Sequence, residues 1–247
     1  MNRLSRYRPP ISRSPRGLSS LKADWLIHAR NVVACPEKHR KLCERVGGAC
    51  AAKGVDPDLR RPGMLGPNYE EADHKILCIG QIHLATEWVE ARDNLGSLQP
   101  LMKRWLDGAE SDEEFCDKYN DAYSTLLPQW GTWTKAFGPV LRRFGIGPRG
   151  VTHVNFARCW QTSGTRVYDA TGACAEEFPT REIYDLVEPD AVLVLSGASV
   201  FQAYPSLMRG LPNSEWAHFP GRRSFAFSAE DIAKTVERLS EKLVASR

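Results

Sequence analysis

The segment Ala191–Ser196, AVLVLS, most restricts what this chain can fold into. A strand that is apolar at nearly every position has no face to give to water, so both faces must be covered. That is the condition of a parallel strand inside an α/β sheet. Similar short runs occur at Ile76–Gly80 (ILCIG) and 151–156 (VTHVNF), with a weaker one at 215–219 (EWAHF). Helical patterns separate them. In 98–106 the apolar positions are Leu98, Leu101, Met102 and Trp105; 113–127, 132–144 and 176–187 are also read as helices. In 229–243, Ile232, Val236, Leu239 and Leu243 share a face, and Ser228 stands as an N-cap with Asp231 three residues on. Strands alternating with helices predict an α/β fold: a three-layer α/β/α sandwich around a mainly parallel four-stranded sheet.

The 247 residues, 42% hydrophobic and 26% charged, suit one globular domain spanning 25–247. Residues 25–74 read as an irregular elaboration holding Cys35, Cys43 and Cys50. No apolar run approaches the roughly 20 residues of a membrane span, and the N-terminus lacks the apolar core of a signal peptide. The expectation is a cytoplasmic monomer. Seven cysteines in such a chain are buried thiols, metal ligands or nucleophiles rather than a disulfide framework. Residues 1–24 read as a flexible basic arm: Arg3, Arg6, Arg8, Arg13, Arg16 and Lys22 precede the first acid, and Pro9, Pro10 and Pro15 oppose a helix. An arm of this kind either gains from a polyanion through counterion release or simply solubilises the chain.

Ligands of open α/β sheets bind beyond the C-terminal ends of the strands, so the residues there carry the chemistry. Gly80 opens a tight turn, GQIHLATEW. Gln81 can position a water or a base edge, His83 can titrate near neutrality, and Glu87 is the loop's carboxylate. Asn155 brings a donor and an acceptor together, the pattern that reads a planar hydrogen-bonding ligand. His218 precedes a Pro-Gly turn with Arg222, Arg223 and Ser224, donors suited to phosphate oxygens. Cys159 and Cys174 flank a polar loop. Joined by Cys35 and Cys43, with Cys50 as a spare, they would make a four-thiolate set that suits a [4Fe–4S] cluster or zinc; free thiols are the alternative. Cys78 and Cys116 sit inside a strand and a helix and read as core thiols.

These strand ends, in this order, resemble the uracil-DNA glycosylase superfamily over about residues 75–243, and most of all its thermostable iron–sulfur branch. Gly80, Gln81, Ile82, His83 and Leu84 occupy that branch's GEAPG motif, and Glu87 falls on a later acid. Asn155, Phe156, Ala157, Arg158 and Cys159 match its Asn, two apolar residues, a basic residue and a cluster cysteine, with Cys174 at the next cluster position. Pro189 and Gly197 fit the following pattern. His218, Pro220 and Arg222 or Arg223 resemble the final HPS motif, with Phe219 inserted. The chain also departs from the family. Gln81 and Ile82 replace the water-activating acid, His83 and Leu84 replace the proline and second glycine, and Asp93-Asn94-Leu95-Gly96 offers no base-stacking ring.

The resemblance implies a DNA glycosylase acting on a modified pyrimidine, with hypermodified phage bases as one class. Asn155 would read the flipped base, with Gly80 and Ile82 lining its loop. Glu87, or His83, would place water, and His218 would stabilise the departing base. Arg158, Arg222 and Arg223 would hold phosphates, and a [4Fe–4S] cluster would be structural. The alternative is a relative that grips DNA without cleavage, or one that captures the sugar covalently through His218. No Walker A or GxGxxG motif supports an unrelated nucleotide-dependent enzyme.

Overall fold

The computed structural model describes residues 18–33, 60–80, 83–84, 95–131, 133–156, 160–161, 180–196, 211, 214–218 and 228–245. It is a mixed α/β molecule built on a small open parallel sheet. Strand β1 (Ile76–Gly80) lies at the centre. On one side it pairs in parallel with β3 (Val151–Asn155), Gly80 opposite Asn155. On the other it pairs with β5 (Ala191–Ser196), Gly80 opposite Leu195. Strand β6 (Ser214–His218) runs parallel to the outer edge of β5, His218 opposite Ser196. Every residue of β1 and β3 is buried, so neither strand has a wet face. A two-residue parallel pair, β2 (His83–Leu84) with β4 (Trp160–Gln161), rejoins the segments leaving β1 and β3.

Helix α1 (Ser20–Val33) lies in the N-terminal region, where the sequence pattern pointed to no helix. Its Trp25, Leu26, Ala29 and Val33 recur at helical spacing and are buried in the core. Residues 60–66 then cover the free edge of β3. Met64 exchanges backbone hydrogen bonds with His153 at 2.7 and 3.0 Å in an antiparallel bridge. Leu65 N–H is held by the Asn120 carboxamide oxygen at 3.0 Å. An edge strand covered in this way has no open row of donors and acceptors.

Helices α2 (Leu95–Leu106) and α3 (Asp112–Leu126) pack on each other. A capping box starts α3: the Ser111 hydroxyl accepts from Glu114 N–H, and Glu114 accepts from Ser111 N–H. Phe115, Tyr119 and Tyr123 follow at intervals of four, which aligns them on one face. Phe115 stacks on Trp105 at 4.0 Å between ring centroids, and the series runs through Tyr119 to Tyr123 in steps of 5.1 and 5.9 Å.

The single helix expected over 132–144 is corrected to three short pieces: a π-helical turn (Trp133–Phe137), helix α4 (Gly138–Leu141) and a 3-10 turn (Arg142–Phe144). Pro139 supplies the reason, since its nitrogen cannot donate and its ring clashes with the carbonyl four residues back. Gly138 permits the close approach, because a Cβ there would stand 2.9 Å from Trp133 Nε1. Helix α5 (Thr180–Val187) leads into β5, and the Asp190 carboxylate receives Lys75 N–H at 2.8 Å, which aligns the starts of β5 and β1. The C-terminal helix α6 (Ala229–Ala245) contacts β5 and β6 and begins at the expected Ser228 cap. Among the described residues no helix is long and apolar enough to cross a membrane.

Candidate functional site at the strand ends

The parallel sheet brings the C-terminal ends of β1, β3, β5 and β6 to one edge. The chain leaves β1 toward β3 and leaves β5 toward β6, in opposite directions across the sheet. The switch point therefore lies between Gly80 and Ser196, where ligands of open α/β sheets bind. Asn155 flanks it on one side and His218 ends the strand on the other. Three interstrand spacings put their Cα atoms on the order of 14 Å apart.

Asn155 is the clearest functional group on this edge. It is 94% buried, and its Nδ2 has no hydrogen-bond partner. An unsatisfied buried amide costs about 1–3 kcal/mol, so a donor left in this state is a natural point of ligand contact. The local backbone explains how it is held. Phe156 N–H donates to Gly80 O at 2.9 Å, so β1 and β3 stay joined past the end of the ladder. A Cβ on Gly80 would stand 2.1 Å from Asn155 Oδ1 and 3.6 Å from His153 Nε2. The missing side chain of Gly80 is the space that the Asn155 carboxamide fills.

His153 lies two residues before Asn155, on the same face of β3, and is buried. Its Nδ1 is 2.9 Å from Tyr123 Oη. Tyr123, Trp130 and Phe137 surround the ring at 5.8, 6.0 and 5.8 Å. The Arg61 guanidinium covers Trp130 at 5.3 Å from the ring centroid. Arg60 and Arg61 are both buried, on the segment that continues the Met64 bridge toward the end of β3. The sequence reading passed over His153, Tyr123, Arg60 and Arg61. A histidine in VTHVN, at period two from the asparagine, was the available signal for the first. The arginines gave none, because adjacent basic residues beside Pro-Gly ordinarily mark a solvated turn.

Of the residues expected to form the site, the structure brings Gly80 and Asn155 into contact. It places the backbones of His83 and His218 in β2 and β6. Gln81, Ile82, Glu87, Arg158, Arg222, Arg223 and Ser224 lie outside the described residues, as do Cys35, Cys43, Cys50, Cys159 and Cys174. Among the described residues no group of three or more His, Cys, Asp or Glu could hold a metal ion. Cys78 and Cys116 are buried free thiols, as expected. Burial pushes the Cys78 thiol well above its ordinary value and that of Cys116 up to about 11, so both are protonated at neutral pH.

A groove of about 750 Å³ lies elsewhere, between Arg143 and the Ile232–Val236 side of α6. Its charged residues Arg143, Glu237 and Glu241 are exposed, and it contains no strand-end residue. Compared with known protein families, with curated proteins and with solved structures, the chain matches none.

Proposed function

We propose that this protein is a DNA glycosylase that hydrolyses the N-glycosidic bond of a modified pyrimidine. The observation that carries the reading is Asn155: a buried amide with an unpaired donor, seated over Gly80 beside the sheet's switch point. Such a donor favours an acceptor on a planar base. With β6 counted as the fourth strand, the parallel order β3-β1-β5-β6 is compatible with the sheet expected of a glycosylase-like domain.

In this reading the target nucleotide leaves the stack and its base enters between Asn155 and His218. Asn155 reads the base edge. His218 donates to the base as negative charge develops on it. Glu87 orients the water and stabilises the oxocarbenium-like sugar, while Gln81 and His83 line the loop that confines that water. Arg158, Arg222, Arg223 and Ser224 hold phosphates, and the basic arm adds affinity that falls with salt. Cys35, Cys43, Cys159 and Cys174 form a donor set that fits a [4Fe–4S] cluster, with zinc the other metal that four thiolates suit. The cluster would tie the N-terminal region to the loop after β3, and no step of the hydrolysis runs through it. The chain would act as a monomer in the cytoplasm.

A second reading is favoured by Gln81 and Ile82, which stand where the family's water-activating acid is expected. It is a member that binds DNA without cleaving it, or that captures the sugar through His218. The two are separated by incubating the chain with uracil-containing DNA and with glucosylated hydroxymethylcytosine DNA. A glycosylase leaves alkali-labile abasic sites that Asn155→Ala, Glu87→Gln and His218→Ala abolish. A binder shifts the DNA in a gel and leaves none, and a trap gives a heat-stable adduct that His218→Ala removes. Unchanged cleavage in all three variants refutes the assigned roles.

A further inference from the structure

We propose that Lys135, Arg142 and Arg143 form a row of cations that holds the phosphate backbone of duplex DNA beside the strand-end site. The inference names how the DNA of the proposed function is gripped, and rests on that reading. Between Asp121 and Asp169 the sequence has no carboxylate, while it holds Lys135, Arg142, Arg143, Arg149, Arg158 and Arg166. Arg149 pairs with Asp121. On other elements Arg104 is matched by Glu110, Lys118 by Glu110 and Glu114, Arg181 by Asp185, and Lys234 by Glu230. Lys135, Arg142 and Arg143 are exposed and form no ion pair among the described residues.

The broken helix arranges these three cations. Lys135 lies in the π-helical turn and Arg142 and Arg143 in the 3-10 turn, with α4 between them. Lys135 and Arg142 are about two helical turns apart, so their backbone positions fall on the same side, roughly 10 Å apart along the axis. Arg143 follows one position round, toward α6, where Glu237 and Glu241 share its groove without pairing to it. A duplex presents one phosphate about every 1.7 Å of its axis, so a row of this length meets several. Gly131 before the row, and Gly145 and Gly147 after it, have nothing within 4 Å of where a Cβ would stand, which leaves the approach open to a broad polyanion. The row also adjoins the strand ends. Phe137, two residues after Lys135, packs edge-on against His153 at 5.8 Å, and His153 is two residues from Asn155. Guanidinium groups are weakly hydrated and can bond two phosphate oxygens at once. Contacts of this kind supply affinity and register, and leave the identity of the base to Asn155.

Binding of the full chain to a short unmodified DNA duplex, followed across a salt series, tests the row. The triple variant Lys135→Gln/Arg142→Gln/Arg143→Gln is expected to bind at least about tenfold more weakly near 0.1 M salt, and to flatten the slope of log K against log salt by about 2–3. Its thermal unfolding should match that of the parent, because all three side chains are exposed. Lys103→Gln removes an exposed lysine from α2 and is expected to leave affinity and slope unchanged, which separates the row from net charge. A parent that binds no duplex, a triple variant with the parent's slope and affinity, or an equal loss in Lys103→Gln overturns the proposal. So does tighter binding to phosphatidylserine vesicles than to the duplex, if the triple variant loses it, since the row would then be a membrane contact. If the parent binds the duplex through the row yet leaves no abasic site in any target DNA, the glycosylase reading fails and the row stands. If the parent excises a base and the triple variant binds and excises equally well, the row fails and the glycosylase reading stands.

Discussion

Gly80 and Asn155 depend on each other, because the carboxamide oxygen occupies the space that any other residue at position 80 would fill with its Cβ. Gly80→Ala is therefore expected to act first on the site. A contact of 2.1 Å requires the Asn155 side chain to leave, and overpacking of this kind costs about 1–3 kcal/mol of stability. Thermal unfolding should show that moderate loss, while uracil-DNA binding falls as far as in Asn155→Ala. Binding equal to that of the parent chain would show that the amide need not sit over Gly80. Asn155 was legible in the sequence because it ends an apolar run. Its lack of a partner was not legible, because satisfaction depends on what the fold packs against it. His153 was hidden for a related reason: nothing near it in sequence announces Tyr123, thirty residues earlier.

Elements whose boundaries are set by local chemistry followed the sequence closely. The continuous apolar runs became β1 and β5 at their expected limits, and Ser228 caps α6 with Asp231 receiving its N–H at 3.1 Å. The run at 151–156 ends as a strand at Asn155, and the weak run at 215–219 begins one residue earlier, at Ser214. Where two local signals compete, the reading failed. Apolar spacing over 132–144 suggested one helix, but Gly138-Pro139 broke it. Helix α1 was missed because its apolar face is interrupted by His28 and follows a basic, proline-rich segment. Its burial comes from tertiary packing with α3, where Trp25 lies 6.1 Å from Phe115.

The capping box of α3 gives a test at this scale. Ser111→Ala should cost about 1 kcal/mol at neutral pH. Hydrogen bonds from the Ser111 backbone N–H and hydroxyl, followed by the charge of Lys118, hold the Glu114 carboxyl below its ordinary value of 4.5. A folded value lowered in this way gives stability that is present above 4.5 and lost as pH falls through the folded value. The deficit of Ser111→Ala in chemical denaturation should accordingly narrow on acidification. A deficit constant from pH 7 to pH 2 would contradict the reciprocal cap.

At the scale of the whole molecule, one sheet edge gathers groups from segments far apart in sequence. Asn155 comes from β3, Gly80 from β1 and His218 from β6, while residues 60–66 seal the outer edge of β3. Every residue of β1 and β3 that leads to this edge is buried. The proposed cluster extends the same logic to the N-terminal region. Anaerobically purified chain should be brown, with iron and sulfide in stoichiometric amounts, and Cys159→Ser should lose the colour. Colourless chain without iron would leave zinc or free thiols as the state of these cysteines.

The measurement that bears most directly on the account is the single-turnover rate of abasic-site formation in DNA carrying a target pyrimidine, compared between the parent chain and Asn155→Ala. The account predicts cleavage by the parent and a loss of at least about 100-fold in the variant, with the variant's thermal stability equal to or above that of the parent because a buried unpaired amide has been removed. Equal rates in the two chains would contradict the claim that Asn155 reads the base.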